Sequence, residues 1–398
     1  MLDGSANETA INGRTMSVED TDCGNSLGGS MDVKKMIGLI GAFYWVIMTV
    51  LIVPGAVVAS FFTIMLPAMI IWLPLHNWID HKLCRMVNDH WVSASHSFGL
   101  NVIEYGDDIT QIANKRVLFM ANHLGLIDHF VLMCAMYNKG TIAEKYLWVI
   151  YNIWKITPLG AMWLTHGNYF INGGAAQRER LLSQFREHLK NNYWKYDHRW
   201  LVIYPEGSRL FLIRESNARY AKKNGLKIFK NCALPRSSGV HAVFEVAGKR
   251  DDSIDKEMDV ARCGLGGPVE YIVDCTLGYY KGDVPELGKY MTGDFPNNHS
   301  TVGIHYKIYP TKAEWANEEK LREWLYDRFE EKDELLEYYY AKGEFPMNSN
   351  SPRRPIHFPF SRCVVVETFW IVLFYAHYYI WVKPFCLFII RTVLSLFI

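Results

Sequence analysis

Long apolar stretches lie near both ends of this chain, and shorter apolar runs alternate with polar segments between them. Residues 36–75 carry almost no charge, and this stretch is about twice the ~20 residues that a membrane-spanning helix needs. Pro54-Gly55 divides the stretch near its middle, and basic residues flank both of its ends. Because positive charge at both ends favours the same side of a membrane, the pattern predicts a helical hairpin, either spanning or re-entrant.

The C-terminal stretch repeats this pattern. Cys363–Val382 is apolar and rich in aromatic residues, Lys383-Pro384 interrupts the run, and Phe385–Ile398 is apolar again. This arrangement predicts one span plus an interfacial segment, or a second hairpin. Glu367 lies near the start of the run, so we expect its carboxylate to snorkel toward the membrane surface.

Between these stretches, short apolar runs alternate with segments of helical periodicity. Strands are predicted at Val117–Met120, Leu201–Tyr204, Tyr271–Thr276 and Val302–Ile308. Helices are predicted at Asp128–Lys139, Gln177–Tyr196 and Ala313–Tyr340. The alternation predicts an α/β fold, with a single domain whose mixed sheet is flanked by helices and with membrane helices at both ends.

These patterns divide the chain into five segments. We expect a disordered polar tail at 1–32, a membrane hairpin at 33–90, one α/β domain at 91–344, a linker at 345–362 and a membrane anchor at 363–398. Within the α/β domain, the charged segment 249–262 is expected to be a surface insertion.

Composition limits the classes of function. Of the 398 residues, 50% are hydrophobic and 14% are aromatic, which is high for a soluble protein. The formal net charge of +1 provides no basic field, so no nucleic-acid partner is expected. The eight cysteines form no C-x2-C pair, which argues against a disulfide framework and a structural zinc site and favours a reducing compartment.

The segment from Asn122 to Asp128 carries the first candidate chemistry. His123 and Asp128 stand at H-x4-D spacing directly after a predicted strand. Five residues along a helix turn roughly 500°, so the two side chains meet only if His123 precedes the helix that Asp128 begins. Asp128 then orients His123 as a general base, and unpaired N–H groups of the helix start are expected to bind an oxyanion. The alternative is a capped helix start with an incidental histidine.

A second block follows the predicted strand at Leu201–Tyr204, where the chain reads Pro-Glu-Gly-Ser-Arg. Gly207 lets the backbone approach a ligand closely, and Arg209 supplies a cation suited to phosphate oxygens. Glu206 would repel a phosphate, so we expect it to accept from a substrate hydroxyl or to pair with Arg209. Taken alone, this segment is equally well interpreted as an ordinary turn.

Together, the two blocks resemble the signature of the glycerolipid acyltransferases of the 1-acylglycerol-3-phosphate type, which use acyl-CoA. Gly167, Phe170 and Ile171 look like the G-x-x-F-I block of that family, and Leu234-Pro235-Arg236 looks like its late L-P-R block. The resemblance covers roughly 116–340. Within the family, the chain looks most like the lysophosphatidylglycerol acyltransferases at His166-Gly167, at the L-P-R-S block, and at Gly293-Asp294-Phe295-Pro296 followed by His305-Tyr306. The lysocardiolipin and lysophosphatidylinositol acyltransferases are close behind.

One position departs from the family pattern. Asn172 follows the G-x-x-F-I block, where the family usually has an arginine that helps to hold the acceptor phosphate. Asn172 donates hydrogen bonds without a charge, so Arg178 or Lys145 is a candidate for the missing cation. The turn formed by Glu206, Gly207, Ser208 and Arg209 is expected to bind the phosphate or glycerol of the substrate.

The resemblance implies acyl transfer from acyl-CoA, as a co-substrate, to a free hydroxyl of a lysophospholipid, with His123 as base and Asp128 as its orienting partner. It implies no bound cofactor and no metal. The expected setting is the endoplasmic reticulum membrane, with the bilayer as partner and the catalytic domain facing the cytosol.

Three alternatives stay open. The first is a transacylase that takes its acyl chain from a phospholipid without CoA, and the second is a membrane scaffold without catalysis. The third is a metal-dependent hydrolase with His123, Asp128, His129 and Glu206 as ligands. Outside the motif pair, His129 is expected to project away from the turn, His166 to cap the G-x-x-F-I turn, and Cys134 to be a core residue.

Overall fold

Eight strands form one mixed sheet in the part of the chain that the structure describes, residues 33–172, 177–249, 266–347 and 352–395 of a computed structural model. The predicted tail at 1–32 and most of the predicted insertion at 249–262 lie outside these residues. The strands are β1 (Asn101–Gly106), β2 (Val117–Ala121), β3 (Tyr146–Tyr151), β4 (Tyr169–Ile171), β5 (Trp200–Ile203), β6 (Tyr271–Tyr279), β7 (Thr301–Pro310) and β8 (Arg354–Pro355).

The helices precede, connect and follow these strands. They are α1 (Val33–Ile47), α2 (Val53–Ser60), α3 (Leu66–Ile71), α4 (Leu73–Ser97), α5 (Asp128–Met136), α6 (Pro158–Thr165), α7 (Arg178–Asn192), α8 (Leu210–Lys223), α9 (Ser237–Ala247), α10 (Leu287–Met291), α11 (Glu318–Lys342), α12 (Phe360–His377) and α13 (Lys383–Ser395).

The sheet order is β4-β3-β5-β2-β6-β7-β1-β8. The strands from β4 to β6 run parallel, whereas β7 is antiparallel to β6 and β8 is antiparallel to β1. The mixed sheet flanked by helices confirms the predicted fold class. Because five neighbouring strands run in one direction, the segments that follow them meet at one carboxyl edge of the sheet.

The four predicted strands are confirmed as β2, β5, β6 and β7. The runs in β2, β5 and β6 are buried on both faces, which is typical of strands covered by helices on both sides, whereas Lys307 of β7 is exposed. Strands β1, β3, β4 and β8 were missed. In β1, Glu104 interrupts the apolar pattern, although its buried carboxylate pairs with the ammonium of Lys139 at 2.9 Å and accepts from the Tyr306 hydroxyl at 2.7 Å.

The three predicted helices are confirmed as α5, α7 and α11, with shifted ends. Helix α5 ends at Met136 rather than Lys139, because Asn138 and Gly140 adopt positive φ angles of 55° and 57°. The third predicted helix begins later than expected, since Asn317 caps α11 by accepting from two backbone N–H groups. Helix α9, directly after the L-P-R block, was missed.

Two apolar layers cover the sheet. Alternate residues of β2 point to opposite faces, so Phe119 packs toward α4, α5 and the N-terminal helices, while Leu118 and Met120 pack toward α7 and α9. The β2 strand is therefore completely buried, and the segment that follows it is held from both sides.

The N-terminal apolar stretch is one continuous helix over Met36–Ile71, 36 residues long. The predicted turn at Pro54-Gly55 is wrong. A π-helical segment, Met48–Ile52, precedes the proline and accommodates its missing N–H group, so the helix continues until Trp72, whose backbone is extended at φ −160° and ψ 102°. The break at Trp72 lets α4 fold back along the long helix, where His90 and Trp91 contact Thr49 and Trp45.

The C-terminal apolar stretch is also one continuous helix of 36 residues, Phe360–Ser395. The predicted interruption at Lys383-Pro384 is wrong. The backbone of Lys383 is α-helical, at φ −59° and ψ −49°, so the helix continues into α13. Both helices are long and apolar enough to cross a membrane.

A buried polar network joins the two apolar helices through α4. The ring of His90 donates from Nδ1 to the Glu367 carboxylate at 2.9 Å and lies 2.8 Å, through Nε2, from the hydroxyl of Thr49. Arg362 forms an ion pair with the buried Asp89. The predicted snorkelling of Glu367 is therefore wrong, because its carboxylate faces the helix interface and pairs there.

We expect Glu367→Ala to destabilise the docking of the C-terminal helix, because it leaves the His90 Nδ1–H group buried without an acceptor. The expected loss is about 1–3 kcal/mol of unfolding free energy, measured by thermal or chemical unfolding in detergent. Val365→Ala is the matched control, since Val365 lies on the same helix and is exposed. An equal effect of both substitutions would show that the polar network contributes nothing specific.

Candidate active site

The candidate site lies at the carboxyl edge of the sheet. The segments after β2 and β5, which carry the H-x4-D and P-E-G-S-R blocks, are neighbours because their strands pair in parallel. Leu210, the first residue of α8, donates its backbone N–H to the carbonyl of His123 at 2.9 Å. The two sequence blocks are therefore in direct contact.

His123 lies in the turn before α5, as predicted, and Asp128 is the first residue of that helix. His123 Nδ1 donates to Asp128 Oδ2 at 2.8 Å. The same oxygen accepts from the backbone N–H groups of Leu124 at 2.7 Å and Gly125 at 3.0 Å, and the Tyr279 hydroxyl donates to Oδ1 at 2.6 Å. Asp128 is completely buried, so these four donors replace its hydration.

The backbone N–H groups at this turn are used to hold the carboxylate. The prediction that unpaired N–H groups of the helix start bind an oxyanion is wrong for Leu124 and Gly125, since both donate to Asp128. The turn instead holds the Asp128 carboxylate against the His123 ring. His123 Nε2 makes no hydrogen bond within the described residues. The side chain of His123 remains 15% exposed, which leaves Nε2 available to a ligand.

Two residues of this arrangement were missed as site residues from the sequence. Tyr279 ends β6, about 150 residues after Asp128, and no local pattern marks it. Asn122 was noted only as part of the motif. Its side-chain amide exchanges two hydrogen bonds with the backbone of Leu277, at 3.1 and 2.8 Å, and so ties the turn to β6.

Glu206 is a buried clamp and not an exposed ligand group. One carboxylate oxygen accepts from the backbone N–H of His123 at 2.8 Å, and the other accepts from that of Ala233 at 2.9 Å. Burial raises the pKa of Glu206 to about 8, against the opposing effect of these two hydrogen bonds. Both predictions for Glu206, a bond to a substrate hydroxyl and a pair with Arg209, are therefore wrong, because its oxygens face the backbone.

The P-E-G-S-R turn and the L-P-R block lie against each other. Arg236 donates its backbone N–H to the carbonyl of Pro205 at 2.8 Å, and Leu234 and Pro235 are buried beneath the turn. Gly207 has φ +72°, and a Cβ there would stand 3.2 Å from the Arg236 side chain. The positive φ favours glycine at this position, and the absence of a Cβ leaves room for the Arg236 side chain.

Two cations flank the mouth of the site. Arg209 is half-buried beside the half-buried Ser208, and its guanidinium lies 5.1 Å from the ring of Phe211. Arg236 is exposed next to Gly207. Neither arginine forms an ion pair within the described residues, so both guanidinium groups are free to hold an anion.

Lys145, one of the two cations suggested in place of an arginine at position 172, does not lie near Arg209 and Arg236. Lys145 pairs with Asp197 at the opposite edge of the sheet, before β3, so its assignment to the acceptor phosphate is wrong. Arg178 donates to the Ser238 hydroxyl at 2.7 Å and starts α7. Asn172 is exposed just after β4, the short strand that contains Phe170 and Ile171, and Gly167 forms the preceding turn at φ +86°.

Aromatic rings surround His123. The ring of Tyr204 stacks on it at 4.2 Å between centroids, and His129 lies 6.0 Å from it. The prediction that His129 projects away is wrong, because His129 packs between Tyr204 and Trp148. Burial, and next the charge of His123, lower the pKa of His129 to about 4, so it is neutral at neutral pH.

The remaining two candidates are structural. His166 ends α6 directly before the Gly167 turn, as expected, and its Nδ1 lies 2.7 Å from a carboxylate oxygen of the buried Asp80, which joins this turn to α4. Cys134 is a core residue, as predicted, and burial raises the pKa of its thiol to about 12. A cysteine nucleophile at this position is therefore disfavoured.

The arrangement is suited to general-base chemistry on a substrate that carries a phosphate. Asp128 keeps the proton of His123 on Nδ1 and stabilises the charged imidazole that forms when Nε2 takes a proton. Asp128 accepts from four N–H or O–H donors and Glu206 accepts from two backbone N–H groups, and both side chains are completely buried. They are poorly placed to serve as metal ligands, and no cluster of three or more His, Cys, Asp or Glu suited to a metal occurs among the described residues.

The comparisons with known proteins match this chain to acyltransferases. A family model described as Acyltransferase matches residues 102–240, and one described as Acyltransferase C-terminus matches residues 295–370. The chain is 44% identical over 368 residues to the Caenorhabditis elegans protein acl-12, whose name assigns it provisionally to the 1-acyl-sn-glycerol-3-phosphate acyltransferases. That match covers 92% of each chain.

Two further relatives have names that include an acceptor. Human acyl-CoA:lysophosphatidylglycerol acyltransferase 1 is 32% identical over 281 residues, which cover 69% of this chain and 73% of the relative. The 2-acyl-1-lysophosphatidylinositol acyltransferase of Saccharomyces cerevisiae is 31% identical over 166 residues, which cover 39% and 36%.

The fold and the matched models define an acyltransferase, an enzyme that transfers an acyl group. The chain belongs to the glycerolipid acyltransferase family, together with these lysophospholipid acyltransferases, as the motif resemblance implies. Its two long apolar helices associate it with membranes.

We expect Tyr279→Phe to lower kcat about tenfold while leaving the KM values unchanged, because Asp128 loses one of its four donors and holds His123 less firmly. Steady-state kinetics on purified protein measure kcat and the KM values separately and so check this prediction. Tyr290→Phe is the control, since it removes another buried tyrosine hydroxyl and leaves the donors of Asp128 in place. An unchanged kcat for Tyr279→Phe would exclude a positioning role.

Glu206 should make stability depend on pH. The pKa of its carboxyl is about 8 when folded and about 4.5 when unfolded, so the folded state prefers the protonated form. Its contribution to stability is complete below pH 4.5 and is lost as the pH rises through 8, with a slope of up to about 1.4 kcal/mol per pH unit. Unfolding free energies of the wild type and Glu206→Gln across this window measure the difference, and parallel pH profiles would contradict it.

Proposed function

We propose that this protein transfers a fatty acyl chain from acyl-CoA to a free glycerol hydroxyl of a lysophospholipid in the membrane. The observation that carries the proposal is the His123–Asp128 pair, whose Nδ1–Oδ2 distance is 2.8 Å and whose carboxylate is completely buried. The nearby free cations and the acceptors that appear in the relatives' names support the same assignment.

The reaction proceeds in one direct transfer. His123 Nε2 takes the proton of the acceptor hydroxyl as its oxygen attacks the thioester carbonyl, and the C–O bond forms. The C–S bond then breaks, and the thiolate of coenzyme A receives a proton from the imidazolium. Because this thiolate is a good leaving group, the reaction requires neither a covalent enzyme intermediate nor a bound cofactor.

Arg209 and Arg236 hold the phosphate of the acceptor in this proposal. A guanidinium presents several N–H donors in a plane and stays charged at all relevant pH values, so it suits phosphate oxygens. Both arginines lie beside Gly207, at the turn that contacts the His123 segment. They supply charge that Asn172 does not provide.

The acceptor class is a lysophospholipid with a phosphate and a free hydroxyl, namely lysophosphatidylglycerol, lysophosphatidylethanolamine or lysophosphatidylinositol. The apolar helices keep the domain at the bilayer where such acceptors reside. We place the enzyme in the endoplasmic reticulum membrane with its site facing the cytosol, where acyl-CoA is available, so that it remodels phospholipids.

A panel of lysophospholipids and acyl-CoA donors, run on membranes containing each variant, tests the proposal. We expect His123→Ala to lower acyl transfer at least 1000-fold, because it removes the base and the partner of Asp128. Asn172→Arg should strengthen the use of acceptors with a more negative head group. Labelled phospholipid supplied without acyl-CoA separates acyl-CoA transfer from transacylation.

His357→Ala is the matched control for the base, since His357 is an exposed histidine in the segment before α12. It should retain full activity. If none of the acceptors is acylated in a manner that depends on His123, the proposed reaction is wrong.

A further inference from the structure

Exposed apolar side chains rim the mouth of the site. Tyr151, Ile153 and Ile156, which follow β3, are 58%, 61% and 91% exposed. Phe211 and Leu212, in the first turn of α8 after β5, are 61% and 56% exposed. We call these five residues the apolar rim. Large side chains this exposed and this closely grouped are costly in water and mark an interaction surface.

The rim lies on the same edge of the sheet as His123. Strand β3 pairs in parallel with β5, and β5 pairs in parallel with β2, so the segments after all three strands emerge together. Leu210, directly before Phe211, donates to the carbonyl of His123. A surface that the rim contacts is therefore also next to the catalytic pair.

The rim is continuous with the N-terminal apolar helix. Helix α6 follows the 3-10 turn Asn152–Ile156, and it packs against α2 in the middle of the 36-residue helix Met36–Ile71. Whatever medium surrounds that helix is accordingly close to the rim. The turn also contains Trp154 and Lys155, a composition that is typical of the membrane interface.

Charge on α8 suits the surface of a bilayer. After the apolar first turn, the exposed basic residues Arg214, Arg219, Lys222 and Lys223 follow along the same helix. An apolar end followed by cations matches a leaflet in which acyl chains lie below anionic head groups.

We propose that the apolar rim inserts into the leaflet, so that the acceptor lipid reaches His123 laterally from the bilayer without passing through water. The proposal rests on the proposed function for the identity of the acceptor, but insertion of the rim does not depend on it. The acyl chain of the acceptor stays in the membrane, and its phosphate meets Arg209 at the head-group level.

The first test measures depth. A polarity-sensitive fluorophore is attached at Ile156→Cys and, as the matched control, at Ile228→Cys, in vesicles of phosphatidylcholine with about a quarter phosphatidylglycerol. Labelling of the parent protein is subtracted. Ile228 is also an exposed isoleucine, 51%, but the ion pairs Lys227–Glu330 and Lys230–Glu337 flank it and indicate water.

We expect lipids with a nitroxide on the acyl chain to quench the probe at position 156 at least twofold and the probe at position 228 not at all. Absence of quenching at position 156, or equal quenching at both positions, would overturn the proposal. The quenching measurement requires no acyl transfer, so its outcome is independent of the proposed function.

The second test measures access. The double variant Ile153→Asp/Ile156→Asp should acylate lysophosphatidylglycerol presented in vesicles about tenfold more slowly, and a short-chain, water-soluble analogue at the wild-type rate. The control Ile228→Asp should match the wild type on both. If the double variant is slower by the same factor on both acceptors, the rim acts on folding or chemistry and not on the membrane.

Discussion

The buried carboxylate of Asp128 is the interaction on which the site depends. A buried carboxylate is stable only when hydrogen-bond donors replace its hydration, and four donors from two parts of the chain do so here. Two of these donors are backbone groups of the turn after β2, and one is a hydroxyl from the end of β6. The same bonds that remove the cost of burying the charge determine the position and tautomer of His123. The hydrogen bonds to Asp128 thus both stabilise the turn and orient the His123 ring.

Glu206 extends this arrangement to the other two sequence blocks. Its side chain bridges the backbone of His123 and that of Ala233, so the segments after β2 and β5 and the L-P-R segment form a unit. Arg209 and Arg236, at the surface of this unit, are therefore held at a fixed distance from His123. In the P-E-G-S-R block, the glutamate is buried and bonds to backbone groups, whereas Gly207 is exposed and Arg209 is half-buried.

Half of the strands and the pairing of His123 with Asp128 could be predicted from sequence because they have local signals. Apolar runs bounded by turns marked β2, β5, β6 and β7, and the H-x4-D spacing required a turn between His123 and Asp128. Partners that come from distant segments had no such signal: Tyr279 reaches Asp128 only because β6 pairs with β2. The role of Glu206 was misjudged because its type suggests solvent, while its burial depends on three segments meeting. Pro54 and Pro384 were taken as helix breaks, but π-helical turns before both prolines allow the helices to continue.

The roles of His123 as base and Asp128 as its orienting partner can be tested most directly by an experimental structure. It would contain the full chain in a lipid nanodisc with lysophosphatidylglycerol and an unreactive thioether analogue of acyl-CoA. We expect the free glycerol hydroxyl to lie about 2.6–3.2 Å from His123 Nε2, with the hydrogen bond between His123 Nδ1 and Asp128 intact and the phosphate at Arg209 and Arg236. A hydroxyl bound to another side chain, or a phosphate bound at His123 Nε2, would contradict it.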